Sequence, residues 1–338
     1  MAERLSLSDD LTNREWTGAL EALGRRTGFA RRLGTGHMAV FADGTADALL
    51  VSFESQAGIR ATAENGLPIG FDIAQRRGWA HLSLVATTGD PWFRDPAIWA
   101  FFDEQTDEDL FDGYSTVVFQ GAGPAGYAAA AYSVAAPGAI VVAIAPQATL
   151  APSVAGWDDR FTEMRRLDFT TRYGFAPDMI DAAASAWIVV DPGEPLDAMH
   201  AALFTKPHVR QVRYRRGSAA ALEADLRAMG VLDEVLDDAA AGKLDLLSFH
   251  GPLRARHRHT PYLRALLSRV MAKDRPFLTA LLCRAVLFRQ PVPRFRRYYV
   301  DARQRLEAMG QSLPPPREAA QTGEPPAEER TGGERTAE

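Results

Sequence analysis

Ser115-Thr-Val-Val-Phe-Gln120 runs straight into Gly121-Ala-Gly-Pro-Ala-Gly126, and the reading of that junction decides the fold. The first half is β-branched and aromatic, the composition of a strand, and the second is a glycine turn. An alanine-rich helical segment, 127–136, follows and stops at Pro137-Gly138. A second apolar run, Ala139-Ile-Val-Val-Ala-Ile-Ala145, ends at Pro146-Gln147. The pattern predicts strand, tight turn, helix and strand, with the strands covered on both faces. From 113 to 157 the chain carries 45 residues without one Asp, Glu, Lys or Arg. Pro137-Gly138 interrupts that run and alanine is a weak driver of insertion, so no membrane span is expected.

Two chemistries use such a turn. Gly121-x-Gly-x-x-Gly126 between strand and helix is a dinucleotide fingerprint, in which backbone amides approach a pyrophosphate. That reading requires an acid about 20 positions on, to hold the ribose. The first acid after Asp112 is Asp158, and more than a hundred residues precede the turn, so no nucleotide or other cofactor is expected. The other chemistry is the nucleophile elbow, Gly-x-Ser-x-Gly, where small residues permit a strained turn that lifts a Ser above the sheet. Here Gly121, Ala122, Gly123 and Pro124 have the smallness, but Gly123 stands at the nucleophile's position.

The rest of the chain surrounds this block with alternating elements. Residues 13–33 read as a helix, with Trp16, Leu20 and Leu23 on one face. Strands are expected at 37–41, 48–53, 80–86 and 187–190, and 209–214 alternates like a half-exposed edge strand. Helices are expected from 69, within 91–111, at 196–204 and at 219–229. This order implies an α/β fold, a mainly parallel sheet with helices on both faces. After 230 no strand pattern remains. Leu263, Leu266, Leu267 and Val270 give one apolar stripe, and Leu278, Leu281, Leu282 and Ala285 a second that should face it, like a tetratricopeptide-type helix pair. The expected organisation is an N-terminal helical segment (1–34), an α/β domain (35–230), a basic helical region (231–310) and a disordered tail (311–338), whose 28 residues hold five Pro and six Glu.

Charge is distributed unevenly. The net charge is −5, yet 251–310 holds fourteen Lys or Arg and three acids, about +11, which leaves about −16 elsewhere. Nucleic acid could be gripped by Arg294, Arg296 and Arg297 beside Tyr298 and Tyr299, but solvated faces or docking on the acidic remainder of this chain are the favoured readings. The first ten residues have no apolar core of a secretory signal, and a cytoplasmic protein is expected. Cys283, the sole cysteine, excludes an internal disulfide and a cysteine metal cluster. No metal is expected at His257-x-His259, which lies among arginines without a neighbouring acid.

Taken in order, Gly121 to Tyr127, Pro146-Gln147, Trp157-Asp-Asp-Arg160, Asp191-Pro192 and Asp197-Ala-Met-His200 resemble the motifs of bacterial α/β-hydrolase-like proteins, some linked to surface-polysaccharide metabolism. The resemblance covers about 48–235 and implies an α/β-hydrolase-like fold with a degenerate elbow. It places Asp191 at the acid of a catalytic triad and Ser218 where the base, a histidine, would stand. With Gly123 and Ser218 in place of nucleophile and base, ordinary ester or peptide hydrolysis is not expected. The implied ligand-binding residues are Gly121, Ala122, Gly123, Pro124, Gln147, Trp157 and Arg160. The implied function is a pseudoenzyme: a binder of an anionic or glycan-like small molecule, or an interaction partner in envelope or polysaccharide metabolism, with a protein partner on its basic helices.

Two alternatives stay open. One is an enzyme rebuilt around Asp191, Asp197 and His200; the last two lie three apart and share a helix face, where a structural hydrogen bond is the competing reading. The other follows from a second resemblance, to short bacterial proteins with an Ala-Ala-Pro-Gly-Ala…Pro-Gln-Ala-Thr-Leu block, some of which carry the label phosphoadenosine phosphosulfate reductase. The phosphate loop and C-terminal Glu-Cys-Gly-x-His of such reductases are absent, and Cys283 sits in an apolar helical stripe.

Overall fold

The computed structural model describes residues 6–8 and 10–315. The tail expected from 311 onward therefore lies, from residue 316, outside the described residues.

Eight strands form one sheet: β1 (Gly28–Leu33), β2 (His37–Ala42), β3 (Ala48–Ser55), β4 (Ala80–Ala86), β5 (Thr116–Ala122), β6 (Ile140–Ile144), β7 (Ser185–Val190) and β8 (Val209–Arg213). Their order is β1-β2-β4-β3-β5-β6-β7-β8. β2 runs antiparallel to both β1 and β4, and every other neighbouring pair is parallel. The mainly parallel sheet expected from the sequence is present, and its order and helix placement are α/β-hydrolase-like.

The strands are apolar on both sides because both sides are covered. Val117 and Phe119 of β5, Val141 and Ala143 of β6 and Ile188 of β7 point into one core with the Pro96–Asp107 and Pro124–Tyr132 helices. Val118, Val142, Ile144 and Val189 point the other way, against the Ala219–Ala228 and Val231–Ala240 helices. On the first face Phe53, Phe102 and Tyr132 stack, with ring centroids 4.5 to 6.0 Å apart. Fully burying side chains of this size contributes roughly 1.5–3 kcal/mol each.

One expected helix is shorter than its pattern. The Asn13–Thr27 helix, started by a Thr12–Glu15 capping box, buries Trp16, Leu20 and Leu23 as predicted. It then stops, and Gly28–Leu33 is strand β1 rather than the helix's end. Residues 28–33 pair with β2 along their whole length, and that ladder overrides a helical reading of a half-polar run.

The chain divides into two compact units, 1–262 and 263–338. In the second, the Pro276–Arg289 helix packs along the Pro293–Ala308 helix. It does so through a face that differs from the expected leucine stripe. Thr279, Ala280, Cys283 and Val286 are buried, whereas Leu278 is 42% exposed. Apolar residues lie all round this helix, so leucine spacing alone could not select its buried side. Among the described residues, no helix is long and apolar enough to cross a membrane.

Candidate functional site

β5 ends at Ala122, and the Pro124–Tyr132 helix begins two residues later. The turn is possible because of two glycines. A Cβ on Gly121 would lie 2.3 Å from the Ala125 carbonyl oxygen, so only glycine lets the helix fold back this closely. Gly123 sits at the apex with φ 58° and ψ −123°, a conformation that side-chain-bearing residues adopt only under strain. Its N–H bonds to the Ile144 carbonyl of β6 at 2.8 Å, and its own carbonyl accepts from Tyr127 at 3.0 Å. This is elbow geometry without a nucleophilic side chain.

The elbow forms part of the lining of a cavity of about 450 Å³ at the carboxyl ends of β3 and β5. Of the residues expected from sequence, Ala122, Gly123, Pro124, Gln147, Arg160 and Asp197 line it. Gly121, Trp157, Asp191 and His200 do not. Gln147 follows Ala145, whose φ of +44° in a non-glycine residue turns the chain sharply at the end of β6. The Gln147 side chain is buried, and its Oε1 has no hydrogen-bond partner among the described residues.

One wall is a closed charge network. Arg160 grips Asp158 with Nε and Nη2, at 2.9 and 2.8 Å, and gives Nη1 to Asp197 at 2.8 Å. Asp158 Oδ2 also accepts from His200 Nε2 at 3.0 Å, and His200 Nδ1 accepts the Ala148 N–H at 3.1 Å. Both ring nitrogens of His200 are thus committed, which fixes its tautomer with the proton on Nε2. Burial holds the imidazole below its ordinary pKa, against the opposing pull of Asp158. Burial would raise the Asp158 carboxyl, but the bonds from Arg160 and His200 outweigh it and hold the group below its ordinary value. Trp157 leans on the His200 ring at 4.5 Å and acts from behind the wall.

Asp191 is placed differently. Its Oδ1 accepts the Gly193 N–H and its Oδ2 the Gly217 N–H, each at 2.7 Å. It ties the loop after β7 to the loop before the Ala219–Ala228 helix. Ser218, at the position of a triad base, caps that helix by accepting the Ala221 N–H at 3.4 Å, and it lines the cavity.

Another part of the lining holds residues that no sequence motif marks: Glu54, Glu223 and Arg227. Glu54 stands near the end of β3, and its two oxygens accept the Ile69 N–H, at the start of the Ile69–Arg77 helix, at 2.9 and 3.0 Å. Burial pushes its carboxyl up to about 8, against the Ile69 N–H and with help from the Glu223 charge. Glu223 is also raised, again by burial, despite nearby Arg227 and an amide bond from Gln120 at 3.3 Å. Arg227 gives Nη1 to Thr62 Oγ1 at 2.9 Å. The available signal was a single acid, Glu54, closing an otherwise apolar strand. Behind Glu54, Ser52 bridges toward His81, whose Nε2 lies 2.8 Å from its hydroxyl.

Elsewhere, no three His, Cys, Asp or Glu side chains among the described residues converge to hold a metal ion. Cys283 is fully buried, and burial pushes its thiol up to about 11, far from a reactive thiolate.

Comparison with known proteins places the chain only distantly. No protein-family model matches it, and no curated protein matches it in sequence. Several solved structures overlap it. A thermophilic carboxylesterase from a metagenomic library is 16% identical, with a TM-score of 0.38 over 70% of this chain and 98% of its own. An esterase of Pyrococcus furiosus is 8% identical, with a TM-score of 0.41 over the same shares. The capsule O-acetyltransferase of Neisseria meningitidis serogroup A is 9% identical, with a TM-score of 0.35 over 59% of this chain and 92% of its own. The α/β-hydrolase-like order belongs to the sheet itself, β1-β2-β4-β3-β5-β6-β7-β8.

Proposed function

We propose that this chain is a non-hydrolytic binder of a small hydroxylated, glycan-like molecule, held in the cavity above the elbow. The observation that carries the reading is Gly123: the turn keeps the backbone of a nucleophile elbow and offers no side chain to attack with. The neighbouring residues support it. Ser218 caps a helix where a base would be needed, and Asp191 spends both oxygens on backbone N–H groups. A serine in such a turn reacts only when an imidazole takes its proton and an acid orients that imidazole. A cavity of about 450 Å³ falls within the ordinary range for a small ligand.

An enzyme rebuilt around Asp191, Asp197 and His200 is less well supported. His200 has no free ring nitrogen, and Asp197 is paired with Arg160. The reductase reading has no thiolate to draw on at Cys283. The test is labelling of the purified protein with a fluorophosphonate probe. No covalent adduct is expected, and stoichiometric modification of any serine overturns the reading.

A further inference from the structure

A second cavity adjoins the one at the elbow, and it is larger, about 730 Å³ against about 450 Å³. It is walled by the Ile69–Arg77 helix, which contributes Ile73 and Arg76, and by the Ala219–Ala228 helix, which contributes Ala224 and Ala228. The two cavities share Thr62, Ala224 and Arg227 in their linings. At that junction Arg227 gives Nη1 to Thr62 Oγ1 at 2.9 Å, in a bond exposed to solvent. A second observation joins the cavities. Ala220 lines the smaller, Ala224 both and Ala228 the larger, and all three are exposed. Residues four apart share one face of a helix, so this face runs from one cavity into the other. At the rise of a helix, Ala228 stands about 12 Å along the axis from Ala220.

We infer that the two cavities are parts of one cleft, and that its ligand is a short glycan of several sugar units laid along the Ala219–Ala228 helix across the Arg227–Thr62 bond. This deepens the binding reading above and rests on it. A single sugar would occupy the elbow cavity and leave the larger one to water.

The lining of the larger cavity fits that chemistry. Arg76 is matched there by Asp72 and Asp233, at 3.2 and 2.7 Å. Outside that ion-paired group, Glu64 is the remaining acid, and Asn65 and Thr62 add uncharged polar groups beside the apolar surface of Ile73, Ala224 and Ala228. A sugar chain presents the same mixture, hydroxyls at the ring edges and C–H groups on the ring faces. An acyl chain would desolvate the polar groups without bonding to them. The Arg227–Thr62 bond is no barrier: an exposed hydrogen bond is worth little net, because water competes for both partners, and a ligand hydroxyl can replace either one. The planar set of N–H donors on Arg227 then takes neighbouring hydroxyls at the junction.

The experiment is calorimetry on the full chain with three probes: glucose, maltotetraose and cellotetraose. At least one tetraose should bind roughly tenfold more tightly than glucose, the worth of one or two added hydrogen bonds. Ala220→Trp fills the smaller cavity and should weaken every probe. Ala228→Trp fills the larger cavity and should bring the tetraose down to the affinity of glucose. Both positions are exposed on the helix, and melting curves report whether the variants fold. Equal affinity for glucose and both tetraoses overturns the single cleft and leaves a one-sugar site at the elbow, which the binding reading allows. Binding of none of the three overturns the cleft and the glycan reading together, while the absence of hydrolysis is judged separately by the fluorophosphonate experiment. A tetraose advantage that survives Ala228→Trp also overturns the inference, because the added sugars would then lie elsewhere.

Discussion

The two walls of this cavity use buried charge in opposite ways. On one side Asp158, Arg160, Asp197 and His200 satisfy one another. On the other, Glu54 and Glu223 face the cavity with hydrogen bonds but no ion pair among the described residues. A buried charge that is fully matched adds geometry and resists disruption; a buried carboxyl that has only hydrogen bonds and the field of a neighbouring arginine takes up a proton more readily. The first wall is the one that the sequence motifs mark, and its polar groups are bonded to one another.

The largest effect should come from breaking the matched wall. Asp158→Ala removes three bonds from Arg160, two from its guanidinium and one from its backbone N–H, and one from His200, and leaves a guanidinium facing Asp197 alone. Removing one partner of a buried pair costs about 3–5 kcal/mol, or roughly 10 °C in melting temperature for a unit of this size. Urea denaturation measures it. A loss below about 1 kcal/mol would mean that this wall is not structural and would reopen His200 as a chemical group.

The unmatched wall should respond with the opposite sign. Glu54 has a folded pKa near 8 against 4.5 for the free side chain, so the folded state binds the extra proton. Its favourable contribution is present below about pH 4.5 and is lost as pH rises through 8. Glu54→Gln keeps an oxygen for the Ile69 N–H and removes the ionisation. The variant should match the parent at pH 4.5 and exceed it by about 2 kcal/mol at pH 8, a figure discounted for the water a half-buried side chain retains. A variant no more stable at pH 8 breaks the contrast between the walls.

In that Glu54→Gln background a third effect becomes visible. His81 is pushed down to about 3 by burial, and His200 is also lowered by burial. Their folded pKa values lie below the unfolded value of 6.5, so stability is intact above 6.5 and falls as the unfolded chain takes up protons below it. The decline should reach about 1–2 kcal/mol by pH 5. Denaturation at pH 7 and pH 5 reads it, and a flat profile would mean that both rings are hydrated in the folded state.

How much of this was legible depends on distance along the chain. The elbow was readable because its cause is local: Gly121 and Gly123 are needed by a turn that closes within a few residues. The sheet followed from apolar runs that had to be covered on both faces. The bond from His200 to Asp158 joins residues 42 apart, and no spacing rule announces it. Glu54 and Glu223 meet only because β3 and the Ala219–Ala228 helix converge at one edge of the sheet. Where apolar residues cover every side of a helix, as in 276–289, the buried face is chosen by the partner helix, and the stripe drawn from leucine spacing missed Ala280 and Val286.

The smallest and sharpest effect concerns Gly123. A Cβ there would meet only Ala219 Cβ, at 3.4 Å, so the space exists and the cost is backbone strain. Gly123→Ser should therefore cost about 1 kcal/mol, the low end for a side chain held in such a conformation. It should still fail to react with a fluorophosphonate, since nothing nearby takes its proton. Adding Ser218→His sets an imidazole next to Gly217, whose N–H already lies 2.7 Å from Asp191 Oδ2, and removes a helix cap worth about 1 kcal/mol. The double variant should label slowly, because Asp191 must share its oxygens between the new ring and the loop. Rapid labelling of Gly123→Ser alone would point to a base already in the cavity, with Glu54 and Glu223 the candidates. The wall that holds Glu54 and Glu223 would then be half of a catalytic site, and the non-hydrolytic reading would fall.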